Sequence, residues 1–377
     1  MTITPADLLR LRDAAAPYPS EPSDDQVAAE LGIPLADLVR FDMNTLGGGP
    51  LPAVVEALAA YDASRVVEYG DQAYVRLRAS LEAVTGAPPH RIIPGAGADE
   101  LIRLLTTMTV GEGDTVLIAT PTFAMFAVEA GLAGARVVEV PRRDPCERQG
   151  VQEIRATAES TGARLVWLCS PNNPTGDMYT HDEVASLADG LPALVAVDTV
   201  YQELAEVGGG LPDEALSLLP LQDRLPNLLI LRSLSKAYGL AGARVGYLVV
   251  PDALAARFEA ARLPLAIGGP SEAAALGALS DVRRARERLA LIVDERRRLE
   301  AAFRRWGWRC CESHTNFLLV RPPDAAAVAS AMLAQGMPVR SYAGGPLIDW
   351  LRITVRAPAE NDRLLDALGE GVMSEAH

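Results

Sequence analysis

Several short stretches of this chain bring together side chains suited to covalent and acid–base chemistry. Lys236 lies in RSLSKAYGLAGARVGY (232–247), where an apolar run gives way to a small-residue loop with Ser233, Ser235 and Arg244 nearby. An amine so placed can form an imine with a carbonyl while hydroxyls and a guanidinium hold an anion; a surface lysine in a loop is the plainer alternative. Asp198 directly follows the apolar run ALVAVD, and Tyr201 comes three residues later. A carboxylate there wants a cationic partner, since burying an isolated charge is costly, and a structural ion pair would also satisfy it. In PGAGADELIRLL (94–105), Gly95 and Gly97 permit tight backbone turns just before a helix. Free N–H groups at a helix start can cradle a phosphate. A dinucleotide-binding loop is the rival, but Glu100 stands where its third glycine belongs. SPNNPTG (170–176) reads as a Pro-stiffened turn that could aim an amide into a crevice. Arg352 in LRITV (351–355) interrupts an apolar run and could clamp a carboxylate bidentately.

The elements that must carry these groups follow from the apolar pattern. Runs at 115–119, 135–140, 164–170, 193–198, 227–233 and 244–250 are apolar on both faces and mostly separated by helical stretches. That pattern predicts an α/β fold with a mostly parallel sheet buried between helices, its chemistry beyond the carboxyl ends of the strands. Pro50 and Pro52 precede one helix, and YVRLRASLEAVTG forms another that stops at Gly86. Beyond about residue 252 the pattern changes to long Arg-rich helices from Ser271 to Trp306, followed by a smaller α+β region. The Arg runs at 283–288 and 296–298 are expected to be solvated helix faces with intrahelical ion pairs. The expected division is an N-terminal arm (1–42), a large domain (43–265) and a small C-terminal domain (266–377).

Composition narrows the function. The chain has 377 residues, with 35 Lys plus Arg against 49 Asp plus Glu, a formal net charge of −14. Nucleic-acid binding needs a concentrated basic surface and is excluded as the expectation, whereas a small anionic ligand is not. Cys146, Cys169, Cys310 and Cys311 suggest neither a disulfide framework nor a CxxC site, and the His content offers little for a metal. The opening MTITPADLLRLRDAAA lacks a signal-peptide profile, and every apolar run is broken short of a membrane span. A soluble cytoplasmic protein is expected.

The ordered set GAGADE, PTF, SPNNPTG, DTVY, SLSKAYGLAGARVG and RITV resembles the fold-type I aminotransferases of class I/II that depend on pyridoxal 5'-phosphate (PLP), most closely their histidinol-phosphate branch. The resemblance runs from about Pro17 to the C-terminus. It implies that Lys236 binds PLP covalently and moves a proton between substrate and cofactor. Asp198 would pair with the pyridine nitrogen, and Tyr201 and Asn173 with the ring's phenolic oxygen. Phe123 would stack on the ring, where most relatives carry Tyr. The backbone of Ala98 and Asp99, with Ser233, Ser235 and Arg244, would hold the cofactor phosphate. It further implies a homodimer with shared active sites, Tyr69 reaching the neighbouring subunit's phosphate. Arg352, Arg340, Asn44 and Tyr18 would surround the substrate, an amino donor exchanging with a 2-oxo acid.

The resemblance implies amino transfer from histidinol phosphate to 2-oxoglutarate. Transfer from an aromatic or other amino acid, or a decarboxylation of the threonine-phosphate type, are the alternatives. One departure bears on that choice: relatives read N-E-N-P-x-G-P where this chain has N-T-L-G-G-G-P at 44–50.

Overall fold

The computed structural model describes residues 21–209 and 217–374. Its main sheet is built from β1 (Ile92–Gly95), β2 (Thr115–Thr120), β3 (Arg136–Pro141), β4 (Leu165–Cys169), β5 (Leu194–Asp198), β6 (Leu228–Ser233) and β7 (Gly246–Val249). The spatial order is β1-β7-β6-β5-β4-β2-β3. β3, β2, β4, β5 and β6 run parallel, while β7 is antiparallel to both β6 and β1. The carboxyl ends of β1, β2, β4, β5 and β6 therefore share one edge of the sheet.

The six runs expected from the apolar pattern are strands β2 to β7, and β1 is an addition. The central strands are buried on both faces, as their unbroken apolar sequences require. Val166, Leu168, Val195, Val197 and Ile230 belong to one core, while Leu165, Trp167, Ala196, Leu229 and Leu231 belong to another across the sheet. Trp167 stacks on Phe126 at 4.5 Å between ring centroids.

Helices cover the sheet. α1 (Asp24–Leu31) opens the described chain, and α2 (Pro52–Ala59) and α3 (Val75–Thr85) follow, the latter closed by Gly86 in the left-handed region. α4 (Gly97–Thr109), α5 (Met125–Leu132), α6 (Val151–Thr161), α7 (His181–Ala188) and α8 (Gln202–Gly208) connect strands. α9 (Asp252–Ala261), α10 (Gly269–Ser280) and α11 (Val282–Arg305) lead to a second sheet, β8 (Arg309–Cys310), β9 (Phe317–Arg321) and β10 (Leu351–Thr354). This sheet is antiparallel, in the order β10-β9-β8, with α12 (Ala325–Ala334) and α13 (Pro358–Ser374) beside it.

Two expectations are corrected. The Arg runs of α11 do make intrahelical pairs, Arg283–Glu287 and Arg297–Asp294 among them. Arg296, however, is buried in the apolar stripe of Leu289, Ile292, Val293 and Leu299, and donates to the Thr315 carbonyl at 2.7 Å. The cysteines are not all free either: Cys146 and Cys311 form a disulfide across 165 residues of sequence. A bidentate pair between Arg309 and Asp144, at 2.7 and 2.8 Å, lies beside it. Sequence spacing is silent on this bond because the fold alone makes the two cysteines neighbours.

Among the described residues no helix is long and apolar enough to cross a membrane, and no cluster of His, Cys, Asp or Glu could hold a metal.

Candidate active site

At the shared strand edge lies a cavity of about 350 Å³. It is lined by Ala98, Asp99, Phe123, Asn173, Asp198, Tyr201, Ser233, Ser235, Lys236 and Arg244, joined by Asn44 and Arg352. Asp198 is the last residue of β5, and Lys236 follows the end of β6 by three residues. Cys169, at the end of β4, pairs in register with Asp198, so SPNNPTG leaves the sheet directly beside that carboxylate.

Asp198 is only 2% exposed, and its carboxylate accepts one hydrogen bond among the described residues, from the Val200 N–H at 3.1 Å. Burial pushes its pKa up to about 7. Lys236 is pushed down to about 8 by burial and by Arg352 and Arg244. Its Nζ donates to the Asn44 carbonyl at 3.2 Å and lies 6.0 Å from the centre of the Tyr201 ring. Burial also raises the Tyr201 phenol, keeping it protonated across the neutral range.

Asn44 ties these groups to the small sheet. Its Nδ2 donates to Tyr201 Oη at 3.1 Å, its N–H donates to Thr354 Oγ1 at 3.0 Å, and its carbonyl accepts from Asn316 Nδ2 at 3.1 Å. Its φ of 53° lies in the left-handed region that Asn tolerates better than most residues. The divergent turn at 44–50 also has a structural reason. A Cβ at Gly47 would lie 2.6 Å from the Ala357 nitrogen, so the close approach of α13 leaves no room for the side chain that relatives carry. Thr45 lines the cavity and accepts from Arg356 Nη1 at 3.2 Å.

The anion end is built by backbone packing. Gly246 pairs with Ser233 on one side and Gly95 on the other, and a Cβ there would meet the Gly97 carbonyl carbon at 2.8 Å. That close approach sets the start of α4, with the Ala98 and Asp99 N–H groups in its first turn, against the Ser233–Ser235 hydroxyl pair (3.0 Å). Arg244 Nη2 meets Asp99 Oδ2 at 2.7 Å. Here, then, stand helix-start donors, hydroxyls and a guanidinium, a suitable cradle for a phosphate.

Arg352 donates to Asn173 Oδ1 at 2.7 Å and to the Asp42 carbonyl, and its buried Nε has no partner among the described residues. Arg340 is its neighbour across two backbone hydrogen bonds of 3.1 and 2.9 Å. Both line an adjoining cavity that shares Phe123 and Asn173 with the first. Tyr69 does not line the cavity of its own chain and is 90% exposed. Tyr18 lies outside the described residues.

Sequence reasoning missed Glu21, Asp42, Asn316, Thr354 and Tyr342. Glu21 and Asp42 line the cavity, Asn316 and Thr354 hold Asn44, and Tyr342 is partly buried beside Arg340, its hydroxyl without a partner among the described residues. They reach the site through tertiary contacts; Thr354 ends β10 inside the LRITV run, whereas no motif marks the other four.

The chain as a whole is similar to several known proteins. The histidinol-phosphate aminotransferase of Roseiflexus castenholzii is 36% identical over 366 residues, 95% of this chain and 96% of that one. The enzyme of the same name from Symbiobacterium thermophilum is 37% identical over 367 residues, covering 94% and 97%. The crystal structure of histidinol-phosphate aminotransferase from Sinorhizobium meliloti in complex with pyridoxal-5'-phosphate superposes with a TM-score of 0.84 at 29% identity, covering 94% and 96%. Residues 36–368 match the family of aminotransferases of class I and II, and the chain belongs to that family.

Proposed function

We propose that the chain is a PLP-dependent aminotransferase that moves the amino group of histidinol phosphate to 2-oxoglutarate. The observation that carries this reading is the convergence, in one cavity, of the Lys236 amine, the buried Asp198 carboxylate and the phosphate cradle at the start of α4. These groups suit the cofactor part by part. Asp198 has a single backbone donor and no ion pair among the described residues, and a protonated ring nitrogen would supply one. The cradle suits the phosphate, and Phe123 offers an aromatic face beside it.

When bound, PLP supplies an aldehyde that captures an amine covalently and a ring that accepts the electrons left when Cα loses its proton. The protein's part is to hold, orient and move protons. Lys236, at about 8, is partly unprotonated near neutral pH and can take the Cα proton and return it. Asp198 would keep the ring nitrogen protonated. Tyr201, held by Asn44 and protonated by virtue of burial, would donate to the ring oxygen, with Asn173 in support. Arg352 takes a substrate anion and is held in place by Asn173.

Histidinol phosphate has no α-carboxylate. Its phosphate ester is carried on the carbon next to the amine-bearing one, and Arg352 and Arg340, backbone neighbours lining one cavity, suit such an anion. The same proposal includes the arm, large and small domains divided at 42/43 and 265/266, a cytoplasmic place in amino-acid biosynthesis, and a homodimer in which the partner subunit's Tyr69 completes each phosphate site.

The test is a single-turnover donor panel on PLP-loaded protein, using histidinol phosphate, phenylalanine and O-phosphothreonine with 2-oxoglutarate. Glutamate should form selectively with histidinol phosphate. Release of carbon dioxide without glutamate would replace this reading with a decarboxylase. Borohydride reduction followed by peptide mass analysis should place the cofactor on Lys236; a mass shift anywhere else removes its covalent role.

A further inference from the structure

Arg340 is not free to meet an anion. Its Nη1 is paired with the carboxylate of Glu21, a residue that lines both the main cavity and the adjoining one. Glu21 is only 21% exposed on its side chain and Arg340 30%, so the pair is partly shielded from solvent. The backbone around Glu21 is pinned. The next residue's carbonyl, of Pro22, accepts from Arg40 Nη1 at 3.1 Å, and Asp24 accepts from the same nitrogen at 2.9 Å. Ser23 and Gln26 then form a reciprocal cap that starts α1. Arg40 itself is 5% exposed and gripped by both oxygens of Asp42 at 2.8 Å.

A guanidinium has five N–H groups. Those contacts use four of Arg40's, leaving one on Nη2, and Glu21 Oε2 lies 3.9 Å from that nitrogen. Glu21 thus stands between two cations: bonded to Arg340, and just beyond hydrogen-bond reach of a donor on Arg40.

We propose that Glu21 is a displaceable gate on Arg340, selecting substrates whose anion is large enough to reach both Arg352 and Arg340. An α-carboxylate satisfies Arg352 alone and leaves the Glu21–Arg340 pair closed. A phosphate that spans both guanidiniums evicts Glu21, whose charge is received by Arg40. Glu21 acts through Arg340 and is therefore a positioning residue. The inference rests on the reading of Arg340 as a phosphate ligand.

The test compares wild type, Glu21→Gln, Glu21→Asp, Arg340→Ala and the Glu21→Gln/Arg340→Ala double variant, all PLP-loaded. KM and kcat are measured for histidinol phosphate and phenylalanine, and competitive inhibition is measured for inorganic phosphate. With the internal competitor removed, Glu21→Gln should lower the histidinol phosphate KM relative to that of phenylalanine by about three- to tenfold, the range of one partly shielded ion pair. The change should sit in KM rather than kcat. Inorganic phosphate should inhibit Glu21→Gln more strongly by a similar factor. Glu21→Asp, which keeps the charge but shortens the reach, should behave like Glu21→Gln, and both effects should vanish in the Arg340→Ala background.

A wild-type-like Glu21→Asp, or a Glu21→Gln effect that survives intact without Arg340, would mean a mere field effect and overturns the gate. A rise in the histidinol phosphate KM in Glu21→Gln also overturns it. If histidinol phosphate proves not to be a donor, the proposed function fails, while the phosphate inhibition series still decides the gate.

Discussion

Asp198 and Lys236 show what an active site costs a fold before its ligand arrives. The carboxylate's pKa is raised to about 7 by burial, so between its ordinary value near 4 and about 7 the folded chain keeps a proton that the unfolded chain releases. Stability of the cofactor-free protein therefore falls as pH rises through that window, and the full cost is present above about 7. Lys236 is displaced the other way, to about 8, so its cost is present below that pH and is relieved as pH climbs from about 8 towards 10.5. Asp198→Asn keeps the acceptor for the Val200 N–H and removes the charge. The cofactor-free variant should melt about 2–6 °C above wild type at pH 8, with a clearly smaller gain at pH 5, by thermal denaturation. An equal gain at both pH values would mean that packing rather than ionisation is responsible. With PLP the order should reverse, since the variant loses the ring-nitrogen partner. Both residues were legible because each ends or follows a long apolar run, where a charge is conspicuous. Glu21 and Asn316 were not, since an acidic residue in a Pro-rich arm and an amide in a loop resemble many others that touch nothing.

At the scale of elements, the strands whose apolar runs are buried on both faces were readable, while their directions and the sheet's edge were not. β1 is the four-residue IIPG, and its proline suits an edge position where the missing N–H is tolerated. Its register against β7 comes from contacts 151 to 157 residues apart in sequence, Ile93 opposite Leu248 at 155 being one example. That register matters, because Gly246 lets the first turn of α4 lie directly on the strand. Gly246→Ala would place a methyl carbon 2.8 Å from the Gly97 carbonyl carbon and 3.0 Å from the Ala98 nitrogen, displacing the phosphate donors. Its PLP dissociation constant, from equilibrium titration, should rise about tenfold, near 1.4 kcal/mol, a modest value for backbone overpacking. Unchanged affinity would show that the α4 start does not hold the phosphate. Arg296 makes the same point within a helix. Its place in the apolar stripe of α11 could have singled it out from its solvated neighbours, and its bond to Thr315 steadies the loop that presents Asn316 to Asn44.

At the scale of the molecule, the described residues include several large apolar side chains that are exposed. Val67 is 86% exposed, Val66 66%, Val75 63% and Val55 51%, all close in sequence to Tyr69, itself 90% exposed. Single exposed apolar residues are ordinary, but such a run suits the self-association proposed above. Tyr69 does not line its own chain's cavity, and the proposed two-fold exchange gives its hydroxyl something to do: each subunit would complete the other's phosphate site. Assembly and cofactor binding are then one equilibrium, each strengthening the other by mass action. Val67→Asp places a charge in the surface that must be desolvated on association, so light scattering should show a shift from dimer to monomer at micromolar concentration. PLP should dissociate from that variant as the dimer does, with a dilution dependence that wild type lacks at the same concentrations. Adding Tyr69→Phe to wild type separates the two effects. It should weaken PLP while leaving the dimer intact, because the ring remains to pack and only the hydroxyl is lost. A monomeric Val67→Asp protein that binds PLP as tightly as wild type would show that each chain's site is complete by itself.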